Sequence, residues 1–174
     1  MTPFEAGRLF APASVGFVAA SVIAPKVVDR CGKIGIAGGM MVYAAGISWL
    51  MVRVGNLGDE PVERALLPAL VVFGFGQGLS MTPLLNMVIG VIEDRKAGMA
   101  AGVISTMQQV GGAFGVSVVG IFFVGILGKK PVEGLSQAQR YADAFSGAMT
   151  YNLLAVLSAA VTVIMITRRI RGVS

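Results

Sequence analysis

The side chains best suited to contact a ligand are four neutral amides inside long hydrophobic stretches: Gln77, Asn86, Gln108 and Gln109. An amide both donates and accepts hydrogen bonds. Left without a partner in an apolar environment, such a group is costly. Each amide should therefore face another helix, through a hydrogen bond, or a wet cavity that admits a substrate. The sequence leaves both interpretations open.

A charged run, Asp29-Arg30-Cys31-Gly32-Lys33, lies between two hydrophobic stretches. One interpretation is a solvated loop on the cytoplasmic side of a membrane, where Lys and Arg accumulate. The other is a gating latch, in which a carboxylate caps a helix end and pairs with a basic residue elsewhere. The residues alone do not choose between them.

Residues for catalysis are scarce. The chain has no histidine, and Cys31 is its only cysteine, which excludes an internal disulfide and a cysteine-cage metal site. We expect no cofactor, no metal and no enzymatic activity, because a nucleophile–base pair is missing. The run GFGQGL at 74–79 is not a dinucleotide-binding motif, since it lies inside a hydrophobic stretch and ends in Leu79. We expect no nucleic-acid partner either.

The composition indicates an all-α membrane protein. The 174 residues are 55% hydrophobic and only 13% charged, whereas soluble domains are about one quarter charged. Five segments are long and apolar enough to cross a bilayer as helices. The predicted spans are 9–28, 34–52, 66–92, 97–127 and 148–167. Residues 1–8 and 26–33 are predicted as loops, and a short helix from about Gln137, capped by Ser136, should run into the last span.

The span 97–127 contains no charged residue and has two different faces. One face is small and polar, and the other is bulky and apolar, with Phe114 on it. Small residues let membrane helices approach closely. The predicted helix-packing residues on the small face are Gly98, Gly102, Gly112 and Gly120. In the first span, Gly16, Ala20 and Ala24 form a similar small ridge.

Five spans place the chain ends on opposite sides of the membrane. Eight basic residues then lie on one side: Lys26, Arg30, Lys33, Arg95, Lys96, Arg168, Arg169 and Arg171. Six lie on the other: Arg8, Arg53, Arg64, Lys129, Lys130 and Arg140. The excess favours a cytoplasmic position for the first side, with Met1 outside and Ser174 inside. An odd number of spans that starts outside suggests part of a larger protein.

Three segments carry a family resemblance: residues 3–33, residues 97–120 and RYADAFSGAM at 140–149. They resemble the C-terminal part of a major facilitator superfamily transporter, of the fourteen-span drug:proton antiporter type that performs multidrug efflux. The resemblance covers nearly the whole chain, and 97–120 is its most specific part. It implies a partial transporter domain over 1–174 in the cell (inner) membrane, with five helices equivalent to the last five of the C-terminal bundle.

The resemblance also assigns roles. Asp29, Arg30, Gly32 and Lys33 are similar to the weaker C-terminal copy of the family's cytoplasmic-loop gating motif. The implied partners are the lipid bilayer, a missing N-terminal half, an amphipathic small-molecule substrate and protons. The predicted spans contain no Asp or Glu, so the proton-coupling acids would belong to the missing half. An alternative is a non-transporting membrane subunit that packs against a separately encoded N-terminal half.

Overall fold

The computed structural model describes residues 3–56, 61–90, 92–128 and 137–171, apart from the side chains at positions 3, 6, 33, 63, 94, 138 and 166–171. Five long helices account for nearly all of this part of the chain. They are α1 (Pro3–Cys31), α2 (Lys33–Gly55), α3 (Val62–Ile89), α4 (Ala97–Leu127) and α5 (Gln137–Arg171). A single 3-10 turn, Asp94–Lys96, precedes α4. Each of the five is long and apolar enough to cross a membrane, which confirms the predicted all-α membrane architecture.

The helix ends differ from the predicted loops. Helix α1 already begins at Pro3 and continues to Cys31, so most of the two segments predicted as loops, 1–8 and 26–33, is helical. Proline fits the first turn of a helix, where its missing N–H would have no partner. At the other end, α1 and α2 are separated by Gly32 alone. Its φ of 58° is left-handed and suits glycine, which is why one residue is enough for the turn.

Helix α3 ends at Ile89, three residues before the predicted end of its span, and Gly90 is its C-cap. The predicted helix from about Gln137 is confirmed and runs without a break through the last span as α5. Its predicted cap, Ser136, lies outside the described residues. In the short α3–α4 connection, the Lys96 ammonium pairs with the Glu93 carboxylate at 2.9 Å.

The helices are neighbours in the spatial order α1, α3, α2, α5, α4. Helix α3 therefore lies between α1 and α2. A buried cluster joins α2 to α3 through Leu50, Leu66, Ala69 and Leu70. A second cluster joins α2 to α5 through Ile36, Met40 and Ala160. Most of the contacts that α4 makes are with α5. None of the residues of α4 is buried.

Glycines set the close spacing of α1, α3 and α2. A Cβ at Gly74 would overlap the backbone of Ala13 in α1, and one at Gly78 would overlap that of Phe17. A Cβ at Gly76, on the opposite face, would overlap the backbone of Tyr43 in α2. Because small residues permit such approach, α3 is clamped between two helices by glycines on both faces.

The neighbouring helices α1 and α2 also place small residues at their contacts with α3. Gly16 lies against Val71 of α3, and Ala20 and Ala24 are fully buried. This confirms the predicted small ridge of α1. A Cβ at Gly46 of α2 would lie 2.6 Å from the Cα atom of Phe73, so the α2–α3 contact is equally tight.

Candidate substrate grooves and the exposed helix α4

The clamped position of α3 leaves two of its faces uncovered by α1 and α2, and the predicted amides divide between them. Gln77 and Asn86 are both exposed. They are nine residues apart, which is about two and a half turns of an α-helix. They therefore project from opposite sides of α3. One cavity within these five helices cannot hold both side chains.

Gln77 borders a groove of about 240 Å³ between α1 and α3. The other residues that line it are Phe10, Ala13, Ser14, Phe17 and Val18. Two aromatic rings, one hydroxyl and one amide make a surface that is mainly apolar with two polar contacts. Such a lining is typical of sites for small organic molecules.

A second groove, of about 300 Å³, separates α3 from the N-terminal half of α4. Its lining is uncharged: Met81, Leu84, Leu85, Val88, Ile104, Met107 and Gln108. Gln108 is the only polar side chain in that set. Met81 and Val88 lie four and eleven residues after Gln77, close to whole helical turns, so both grooves open on the same side of α3.

The structure therefore brings Gln77 and Gln108 to one side of the bundle, and it places Asn86 on another side. Gln109 is exposed but lines neither groove. Sequence reasoning missed Met81 of α3 and Met107 of α4, which both line the second groove. Their type gave no signal, because methionine fills gaps in cores and also lines adaptable binding surfaces.

Helix α4 is exposed on both of the faces distinguished in its sequence. Phe114, on the bulky face, is 69% exposed, and Val116, on the small face, is 75% exposed. A Cβ at any of the four predicted packing glycines, Gly98, Gly102, Gly112 and Gly120, would meet nothing within 4 Å. Within the described residues these glycines contact no other helix, so their predicted packing role requires a partner outside these five helices.

Among the described residues, two aromatic contacts and one hydrogen bond join the C-terminal half of α4 to the N-terminal half of α5. The rings of Phe122 and Tyr151 stack with centroids 5.9 Å apart, and Phe123 meets Tyr141 at 6.3 Å. The Arg140 guanidinium donates a hydrogen bond of 2.9 Å to the carbonyl of Leu127 at the end of α4. Basic groups stabilise helix C-termini in this way. The N-terminal half of α4 extends away from these contacts.

The predicted gating residues surround the one-residue turn between α1 and α2. Asp29 and Arg30 lie exposed in the last turn of α1, and Gly32 makes the turn itself. No side chain caps the start of α2. Lys33 begins α2, but its side chain lies outside the described residues. The described side chains show no ion pair at Asp29, so the latch remains a prediction whose partner would lie elsewhere.

Two hydrogen bonds join α3 to its neighbours, and the sequence did not single them out. Thr82 of α3 donates a hydrogen bond of 3.0 Å to the hydroxyl of Ser21 in α1. Arg53 near the end of α2 donates one of 3.0 Å to the carbonyl of Ala65 in α3. The first joins α1 to α3, and the second joins the C-terminal end of α2 to the N-terminal part of α3.

Comparison with known proteins agrees with this architecture. The sequence profile of the Major Facilitator Superfamily matches residues 1–171. A probable actinorhodin transporter of Streptomyces coelicolor is 29% identical over 154 residues, which are 86% of this chain and 26% of that protein. The drug efflux pump JefA of Mycobacterium tuberculosis is 30% identical over 129 residues, 74% of this chain and 24% of the pump.

A cephamycin export protein of Amycolatopsis lactamdurans, CmcT, is 31% identical over 157 residues, 88% of this chain and 31% of that protein. The chain thus spans about a quarter to a third of the length of these relatives. No solved structure shows a significant match. A profile match over almost the whole length, together with five membrane-spanning helices, assigns the family: the chain belongs to the Major Facilitator Superfamily of transporters.

Proposed function

We propose that this chain forms the C-terminal part of a proton-coupled efflux antiporter that exports amphipathic organic compounds. The observation that carries the proposal is the match to one transporter, one efflux pump and one export protein, combined with the open faces of α4. The chain spans only 24% to 31% of those relatives, and α4 has no buried residue. We infer that the five helices are equivalent to the last five of the C-terminal bundle and that the rest of the transporter covers α4.

The substrate would bind where the two grooves open on one side of α3. The amides of Gln77 and Gln108 would supply hydrogen bonds, and the aromatic and methionine side chains would supply apolar contact. This combination suits compounds with both apolar and polar parts. Because these lining residues are uncharged, the grooves favour no particular net charge on the substrate. Asn86 and Gln109 would then contact other helices or other parts of the cavity.

Transport would follow the alternating-access scheme, in which one bundle rocks against the other around a site near the bilayer midplane. Asp29, Arg30, Gly32 and Lys33 would act at the cytoplasmic end, where the one-residue turn connects α1 to α2. We infer that this chain performs no covalent chemistry. Proton coupling needs a group that titrates within the pathway, and it would come from the N-terminal half.

We further infer that the chain resides in the cell (inner) membrane with Met1 outside and Ser174 in the cytoplasm. Cys31 offers a direct test, because it is the only cysteine and its thiol is exposed. A maleimide that cannot cross the membrane should leave Cys31 unlabelled in intact cells. It should label an Asn56→Cys variant made in a Cys31→Ser background, since Asn56 lies at the far end of α2. Labelling of both positions from outside would contradict the topology.

This chain could be part of one longer transporter, as proposed, or a non-transporting subunit that packs against a separately encoded half. The DNA upstream of the codon for Met1 distinguishes these two hypotheses. The proposal expects an open reading frame that continues upstream and encodes about nine more hydrophobic spans. A separate neighbouring gene for such spans would favour a subunit that packs against another chain. If neither is found, the proposed assembly is wrong.

A further inference from the structure

Lys26 and Arg30 form a pair of cations one helical turn apart at the end of α1. Both side chains are exposed, and neither has an ion-pair partner among the described side chains. They border an open pocket of about 550 Å³ together with Ile23, Val27, Asp29 and Cys31. The two-groove substrate region described above uses none of these residues, whereas Asp29 and Arg30 also belong to the proposed gating set.

The pocket lies where the apolar part of α1 gives way to its charged end. Ile23 is 43% exposed and Arg30 follows it by seven residues, which is about 10 Å along a helix. An apolar bilayer core is about 30 Å thick, or about 20 helical residues. If the core begins near Leu9, then it ends near Val28, so Ile23 contacts acyl chains and Arg30 lies among headgroups. The backbone of Lys26 is just inside the core, and its long side chain reaches the headgroups from there.

We propose that this pocket binds the headgroup of an anionic phospholipid, phosphatidylglycerol being the best fit. Lys26 and Arg30 hold the phosphate between them, and the acyl chains lie along Ile23 and Val27. Asp29 would repel a group of higher negative charge, but its carboxylate accepts hydrogen bonds from the glycerol hydroxyls. The three side chains carry a net charge of about +1, which matches the single negative charge of this lipid.

The test uses the 174-residue chain in a zwitterionic detergent, titrated with phosphatidylglycerol and followed by native mass spectrometry. Each basic residue near anionic headgroups strengthens binding about fivefold, so a Lys26→Gln/Arg30→Gln variant should bind roughly thirtyfold more weakly. The single variants should each lose about fivefold. Unchanged affinity in the double variant would overturn the proposal.

The matched control is Arg95→Gln/Lys96→Gln, which removes the same charge from the α3–α4 connection. Both residues are exposed there, and Lys96 is already paired with Glu93. This variant should change the affinity by less than twofold. An equal loss in both double variants would show general attraction to the positive chain rather than a site, and would also overturn the proposal.

Two further ligands separate a lipid site from a phosphate site. Phosphatidylcholine with the same acyl chains should bind at least tenfold more weakly, because its headgroup has no net charge. Soluble glycerol phosphate, which lacks acyl chains, should not compete with the lipid at millimolar concentration. Competition by glycerol phosphate at the lipid's own affinity would mean that Ile23 and Val27 contribute nothing, and the lipid proposal would be wrong.

Discussion

Helices α3 and α4 are both rich in glycine, yet the structure uses them in opposite ways. In α3, Gly74, Gly76 and Gly78 each lie against the backbone of a neighbouring helix. In α4, a Cβ at any of its seven glycines would meet nothing within 4 Å. Helix α3 is packed closely on two faces, whereas the ring contacts and the hydrogen bond that join α4 to α5 lie in the C-terminal half of α4.

This difference shows that a glycine stripe marks a surface for close packing without identifying the partner. The partners of α3 lie in the same chain, so backbone atoms of α1 and α2 occupy the space beside its glycines. The relatives that this chain resembles are about three to four times longer, and the proposed assembly assigns the partners of α4 to the remaining part. The comparison can be tested by substitutions that act on one helix and spare the other.

The largest effect on the isolated chain is expected from Gly76→Leu in α3. Its Cβ would overlap the backbone of Tyr43, and neither helix can move without separating from its other neighbours. Overpacking typically costs about 1–3 kcal/mol and occasionally more. We expect the free energy of unfolding to fall by an amount at or above the top of that range. Thermal unfolding of the purified chain in detergent would measure this loss.

The control for this change is Gly102→Leu in α4, where the new side chain meets open space. It should leave the thermal stability of the isolated chain within about 0.5 kcal/mol, as surface substitutions usually do. Equal destabilisation by the two variants would remove the distinction between α3 and α4.

The next effect concerns α4 in the complete transporter. Gly112→Leu should abolish folding or efflux there, because it would push apart α4 and the helix proposed to cover it, at a cost of about 1–3 kcal/mol. Phe114→Leu should be mild, since it keeps an apolar side chain on the bulky face. In the isolated chain both should be tolerated. Equal expression and efflux for the two variants in the complete transporter would mean that the faces are assigned wrongly.

A smaller effect is expected at the grooves. Gln77→Leu and Gln108→Leu each remove one hydrogen bond to substrate, and such a bond contributes about 0.5–1.5 kcal/mol. Each variant should therefore shift the apparent KM for efflux by about 2- to 12-fold. Asn86→Leu, on the opposite side of α3, should shift it less. A larger shift from Asn86→Leu than from either glutamine would move the substrate site to the other side of the helix.

The smallest effect is expected from Thr82→Val, which removes the hydrogen bond to Ser21 between α1 and α3. Hydrogen bonds between membrane helices average about 0.6 kcal/mol, and the glycine contacts nearby remain in place. Ser21→Ala should give the same small loss, and the double variant should lose no more than either single one. A loss above about 2 kcal/mol would mean that this hydrogen bond, rather than glycine packing, holds α1 on α3.

The sequence predicted the five helices because hydropathy and length decide whether a segment can cross a bilayer. Loops are predicted at 1–8 and 26–33 because these segments are polar or charged, but the helices extend beyond the apolar core. The neighbours of each helix could not be predicted, since Gly76 and Gly112 look alike until the position of Tyr43 is known. The groove with Met81 and Met107 was missed for the same reason: it joins residues from two helices.

The central claim is that these five helices transport only when the rest of the transporter covers α4 and supplies the titrating group. The most direct test is dye efflux in cells that lack their own pumps, with the proton gradient intact or collapsed. The chain alone should give no gradient-dependent efflux, and co-expression with the N-terminal half that the proposed assembly requires should restore it. Gradient-dependent efflux by the 174-residue chain alone would contradict the account.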